Sequence, residues 1–130
     1  MTKQTAITEG IHVHVRSRYE PGHSSPEDNY FLFSYSVEIE NKGIQNVQLE
    51  SRSWVIFDSA GDRLHVAGPG VVGKTPILPP GASFQYTSAC ELRSTRGSMH
   101  GEYLMKNLDN GDTFRVEIPE FKLETEWTLN

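Results

Sequence analysis

A chain of 130 residues with 36% apolar and 22% charged residues, including six Phe, five Tyr and two Trp, has the inventory of one globular domain. It is too apolar for disorder and large enough to bury a core without disulfide or metal staples. A formal net charge of −5 excludes the basic footprint that a general nucleic-acid binder needs, and it disfavours adhesion to an acidic membrane surface.

The lone cysteine, Cys90, has no partner for an internal disulfide, and no run approaches the roughly 18 apolar residues of a membrane span, so the expected location is the cytoplasm with no membrane insertion. Residues 1–10 lack the apolar stretch of a secretory leader and read as a flexible N-terminus. Ile11, Val13 and Val15 then alternate with His12, His14 and Arg16, the pattern of a half-buried strand. Gly22-His23-Ser24-Ser25-Pro26 begins like a nucleophile elbow, but Pro26 replaces the final glycine and no helix follows, so it reads as a flexible loop.

Phe31, Phe33, Tyr35, Val37 and Ile39 form the longest alternating face, opposite Ser34, Ser36, Glu38 and Glu40, and predict a central strand ended by Asn41-Lys42-Gly43. In the next run Val47 and Leu49 hold odd positions while Trp54 and Ile56 hold even ones, so a bulge is expected near Ser51–Ser53. Trp54 has the size and place of a core tryptophan. Asp58-Ser59-Ala60-Gly61-Asp62 is a turn, and Arg63–Val66 is a short run leading into the glycine-rich segment.

That segment, Gly68-Pro69-Gly70-Val71-Val72-Gly73-Lys74-Thr75, fits both G-x-G-x-x-G and G-x-x-x-x-G-K-[ST]. Both patterns bind phosphate only where the loop opens into a helix whose free N–H groups face the ligand. Here Pro79 and Pro80 follow within a few residues and forbid a helix of useful length, so the loop is expected to join strands, with Val71, Val72, Ile77 and Leu78 buried around it. Its glycines supply backbone freedom where the chain crosses between sheets, or they form an anion-binding backbone nest with Lys74 as charge partner.

Beyond the Pro79-Pro80-Gly81 break, Phe84 and Tyr86 mark a strand running to about Cys90, and Leu92–Gly97 is a polar connector. Met99–Lys106 pairs with Phe114, Val116 and Ile118 across Asp109-Asn110-Gly111-Asp112, since Asn-Gly tolerates the positive φ angles of a tight hairpin. Pro119 ends that strand, Phe121 and Leu123 extend a last edge, and 124–130 reads as a tail that frays. The domain therefore spans 11–123 and is all-β: a sandwich of about seven to nine antiparallel strands, immunoglobulin- or fibronectin III-like.

The remaining chemistry is sparse. His12 and His14 project from one face about 7 Å apart, and with a third ligand such as His23, His65 or His100 they could hold Zn²⁺, Co²⁺ or Ni²⁺; a solvated polar face beside Arg16 is the plainer reading. Asp109–Asp112 looks like a calcium loop but lacks its alternating carboxylates. Cys90 with His100 could be drawn as a thiolate pair, yet a cysteine at a strand end is ordinarily a small packing residue. Glu38, Glu40 and Glu50 are an outward polar face, and no catalytic residues stand out.

Several motifs in order resemble the ApaG family, also called the DUF525 domain, from Ile11 to Leu123. They are Ser17-Arg18-Tyr19, Tyr30–Tyr35, Gln48-Leu49 with Ser51-Arg52 and Trp54, Gly68–Gly73, Pro79-Pro80-Gly81, Phe84–Ser88, Gly97-Ser98-Met99 with Gly101 and Tyr103, and Ile118-Pro119 with Phe121. The resemblance implies an immunoglobulin- or fibronectin-like sandwich in a bacterial cytoplasmic protein, linked by name to cobalt and magnesium efflux and to diadenosine tetraphosphate metabolism. It implies no established catalysis, and no cofactor is expected. In eukaryotes a similar domain accompanies F-box and polymerase-interacting proteins, where it looks like an interaction module. Lys74 lies outside the family's glycine motif. The expected function is non-enzymatic binding of an as yet unidentified protein partner, with a homodimer permitted by exposed strand edges. The alternative is binding or weak hydrolysis of a phosphate-containing small molecule, a pyrophosphate or nucleotide, at Gly68, Gly70, Gly73 and Lys74.

Overall fold

The computed structural model describes residues 2–125, and among these nine strands form two antiparallel sheets. The first sheet has the order β1-β2-β3-β7, from β1 (Gln4–Thr8), β2 (Ile11–Tyr19), β3 (Phe31–Asn41) and β7 (Ser83–Leu92). The second has the order β5-β4-β8-β9, from β4 (Val47–Asp58), β5 (Arg63–Pro69), β8 (Arg96–Asn107) and β9 (Thr113–Glu124). The two-residue β6 (Ile77–Leu78) also pairs with β4.

Alternation places the core where the sequence puts it. Ile11, Val13 and Val15 of β2 and all five alternate residues of β3 are buried, facing Leu49, Trp54, Met99, Tyr103, Met105, Val116 and Ile118 of the other sheet. Trp54 joins the layers: its ring centroid lies 5.5 Å from Tyr35 of β3 and 6.0 Å from Phe121 of β9, edge-on to both. Tyr86 and Tyr103 share a buried hydroxyl hydrogen bond of 2.5 Å between the sheets, and burial raises the pKa of both phenols.

The structure departs from the sequence reading at several points. Within the N-terminus expected to be flexible, Gln4–Thr8 pair with β2 as an edge strand, and Thr8 Oγ1 accepts a hydrogen bond of 3.1 Å from the Glu117 N–H of β9. The bulge in β4 falls at Glu50, between Leu49 and Ser51, rather than at Ser51–Ser53. Pro119 does not end a strand. It sits in a bulge, because Met99 pairs with Phe121 while Gly101 pairs with Ile118, and an unpaired bulge position tolerates a residue without an N–H.

The β8–β9 hairpin forms as expected, but not with the two-residue Asn-Gly turn. Lys106 pairs with Thr113, Asn107 N–H donates to Asp112 O, and the positive φ is confined to Gly111. Residues 21–28 contain two single-turn 3-10 helices, Pro21–His23 and Pro26–Asp28, in place of a flexible loop. Of the tail expected over 124–130, Glu124 closes β9 and Thr125 is buried, its N–H donating to Thr95 O; residues 126–130 lie outside the described residues.

Asp58 fastens one end of the sandwich. Its carboxylate accepts hydrogen bonds from Arg93 N–H (2.6 Å), Ala60 N–H (3.0 Å) and Ser94 Oγ (2.5 Å), tying the β4–β5 turn to the β7–β8 turn. Burial pushes its pKa upward, but the three hydrogen bonds and the Arg93 charge outweigh that, leaving it below the usual carboxylate value. A carboxylate with a depressed folded pKa stabilises the fold above its unfolded pKa, about 4, and that stability is lost as pH falls through the folded value. Glu40, through its hydrogen bond with His14, and Asp109, through Asn46, are lowered in the same sense. Asp58→Asn is therefore expected to flatten the acid limb of a urea-midpoint profile measured from pH 6 to about 2. An acid limb identical to that of the parent protein would contradict this assignment.

Candidate functional site: the glycine turn and the β5–β6 edge

β5, the glycine segment and β6 run in succession along the edge of β4 that β8 leaves free, with Ser51–Phe57 paired to β5 and Val47-Gln48 to β6. No helix follows Lys74: the chain passes from the turn through Thr75-Pro76 directly into β6. The segment is a tight hairpin inserted in an extended edge. Val71 and Lys74 exchange both backbone hydrogen bonds, at 2.8 and 2.9 Å, and Val72 and Gly73 between them have φ of 43° and 79°, the two positive angles of a type I′ turn.

Each glycine has a separate reason to be there. Gly70 has φ of 60°, and a Cβ on it would stand 2.4 Å from Lys74 O, so only glycine fits. Gly73 takes the second positive-φ position of the turn. Gly68 makes room for Arg52, whose Nη1 donates to Pro69 O (2.9 Å) and Gly70 O (3.0 Å), holding the turn against β4. Val72 is the anomaly: a β-branched residue at positive φ costs about 1–3 kcal/mol, a strain that collects at functional sites.

The amides of Gly70, Val71 and Lys74 are all spent inside the protein, on Glu50 O, Lys74 O and Val71 O. The expectation that Val71, Val72, Ile77 and Leu78 are all buried is half right. Val71 and Leu78 are buried, but Val72 stands at the turn tip and Ile77 faces outward from β6, leaving them 54% and 56% exposed. Leu64 of β5 is also 56% exposed, opposite Ile56 of β4, whereas Ile77 stands opposite Gln48, so large apolar side chains are exposed at separate points of this one edge. Leu64 also lines a shallow cleft with Ile56, Tyr30 and Leu92, rimmed by Asp28, Asp62, Glu91, Arg63 and Arg93. By contrast, β7, one of the two terminal strands of the first sheet, turns Ser83, Gln85, Thr87 and Glu91 outward.

The other sequence candidates fall elsewhere. His12 and His14 lie on the outward face of β2 and are joined there by Glu40 of β3, not by His23, His65 or His100; His65 and His100 belong to the second sheet and His23 to a 3-10 turn. Cys90 packs against the core, and burial, followed by the charges of Glu91 and Asp58, pushes its thiol up to about 11, so it is not a thiolate at neutral pH. Arg52, Asp58 and Glu40 do not stand out in the sequence, because Arg52 meets the glycine turn 17–18 residues on, Asp58 meets Arg93 and Ser94 35–36 residues on, and Glu40 meets His14 26 residues back.

This arrangement defines a class: an all-β sandwich with a tight glycine hairpin set into an open edge, where the described residues bring no catalytic side chains together. Residues 21–107 match the ApaG domain, DUF525. The chain is 49% identical over 126 residues to Protein ApaG of Anaeromyxobacter sp. (strain K), covering 97% of this chain and 98% of that one. It is 48% identical over 120 residues to Protein ApaG of Methylobacterium radiotolerans, covering 92% of each. Among solved structures it is similar to the putative ApaA protein of Bordetella pertussis, with a TM-score of 0.86 at 40% identity over 89% of this chain and 94% of that one. The chain belongs to the ApaG family.

Proposed function

We propose that the chain is a non-enzymatic, cytoplasmic binding module that takes an extended segment of a protein partner along the β5–β6 edge, in the manner of immunoglobulin- and fibronectin-like sandwiches. The observation that carries this reading is the exposure of Leu64 on β5 and Ile77 on β6, with Val72 at the turn between them, along one open edge of β4. Edge strands ordinarily carry charges or proline against unwanted pairing, and between Arg63 and Pro69 this one offers Leu64, His65, Val66, Ala67 and Gly68. Strand addition supplies main-chain hydrogen bonds, and the cleft beside Leu64 receives an apolar side chain for specificity. The family-implied influence on cobalt and magnesium efflux would then act through that partner.

Leu64→Lys with Ile77→Lys places charge on the edge while leaving the core untouched, so the thermal midpoint should stay within a few degrees of the parent's. Capture from native lysate should recover a discrete partner with the parent protein and lose it with the double variant. Equal recovery by both, or no specific partner with either, would contradict the reading. A second reading, a phosphate-bearing small molecule at the turn, draws support from the strained Val72 beside Lys74. Inorganic diphosphate that leaves the Val72, Gly73 and Lys74 amide signals unmoved at millimolar concentration would remove it.

A further inference from the structure

We infer that His12, His14 and Glu40 form a binding site for one divalent late transition-metal ion, with Zn²⁺ as its reference occupant. The sheet register builds it. His12 pairs across β2–β3 with Glu40, and His14 stands two residues along on the same outward face, because Ile11, Val13 and Val15 all point into the core. One donor atom from each of the three side chains lies within 4.8 Å of the others, and all three side chains are half-buried. Donors at about 2.1 Å from a metal stand about 3.0–3.5 Å apart, so closure needs only modest side-chain rotation.

Two details mark this as more than a chance polar face. His14 Nε2 lies 2.7 Å from Glu40 Oε1, while its Nδ1 lies 2.8 Å from Thr5 Oγ1 of β1. With a metal on Nε2, Nδ1–H donates to Thr5, the outer hydrogen bond that ordinarily fixes the tautomer and orientation of a metal-bound imidazole. β2 is also held on both sides, by β1 and β3, so the ligands stand on a braced strand. Glu38, opposite His14, is engaged by Gln85 Nε2 (3.0 Å) and stays outside the set, while the Lys42 charge near Glu40 tempers affinity.

The donor set selects the ion. Two imidazoles and one carboxylate suit Zn²⁺, Co²⁺, Ni²⁺ or Cu²⁺, whereas Mg²⁺ and Ca²⁺ favour oxygen alone. Three protein donors leave coordination open to water or to a group from a partner. The site occupies the outer face of the first sheet, whereas the β5–β6 edge belongs to the second, so the two proposals fail independently.

Zn²⁺ alone, titrated calorimetrically into the full chain, should bind at a single site and shift the His12 and His14 imidazole signals in long-range ¹H–¹⁵N spectra. His12→Gln with His14→Gln should abolish that binding, Thr5→Val should weaken it by about tenfold, and excess Mg²⁺ should not compete. Circular dichroism checks that the variants remain folded, and the imidazole spectra of the parent protein need no variant at all. A double variant that binds Zn²⁺ as tightly as the parent, or His12 and His14 imidazoles unmoved at millimolar Zn²⁺, would overturn the inference.

Discussion

Gly101→Ala is expected to unfold a large share of the protein. Gly101 of β8 lies opposite Trp54 of β4, next to the bulge that accommodates Pro119, and there the two strands approach so closely that a Cβ would stand 2.0 Å from Ser53 O. Ser53 C and Trp54 Cα lie 3.1 and 3.2 Å away, so the obstacle is backbone and cannot rotate aside. Relief requires β8 to part from β4 in the middle of the second sheet, breaking ladder hydrogen bonds and loosening the packing around Trp54. The cost should exceed ordinary overpacking, about 1–3 kcal/mol, and reach about 4 kcal/mol, a large part of the stability of a small domain. Gly22→Ala is the matched control, since its Cβ meets nothing within 4 Å, and it should change stability by less than about 0.5 kcal/mol. Urea unfolding followed by far-UV circular dichroism reads both. A Gly101→Ala midpoint equal to that of Gly22→Ala would show that β8 and β4 are not as close as described.

Trp54→Ala should be nearly as damaging, for the opposite reason. The indole is 3% exposed and contacts Tyr35 on the facing sheet and Phe121 on β9 of its own, so truncation opens a cavity between layers that cannot readily collapse. The expected loss is about 3–5 kcal/mol, with Trp54→Phe falling well below that because it retains an aromatic edge for both neighbours. Urea midpoints read the ranking, and near-UV circular dichroism should show reduced aromatic signal in the alanine variant even under native conditions. Equal losses for Phe and Ala would mean that the ring contacts contribute little.

The features legible in the sequence are those that depend on local pattern. The alternation in β2 and β3 announces itself because every inward position is apolar, and Trp54 stands out by size. Pro79 and Pro80 rule out a helix after Lys74 through their missing N–H groups, and the structure indeed continues into β6. β1 escaped because Gln4-Thr5-Ala6-Ile7-Thr8 has a weakly apolar inward face and is held by its neighbours more than by its own pattern. Pro119 misled because its missing N–H is visible in the sequence, while the bulge that absorbs it depends on the register of β8.

The candidate site was less legible, for the same physical reason. Val72 and Ile77 look like core residues by type, and their exposure follows from turn geometry and from which way a two-residue strand faces. Glu40 joins His12 and His14 only through cross-strand register, across 26 residues or more of chain, and spacing along β2 alone gives no hint of it.

The central claim is that recognition occurs by strand addition at β5. Residue-resolved amide hydrogen exchange on the chain, alone and bound to its captured partner, tests it most directly. The account predicts new protection within Arg63–Pro69 and Ile77-Leu78 and little change along β7. Protection that appears on β7 or on the outer face of the first sheet, with β5 exchanging as freely as before, would contradict it.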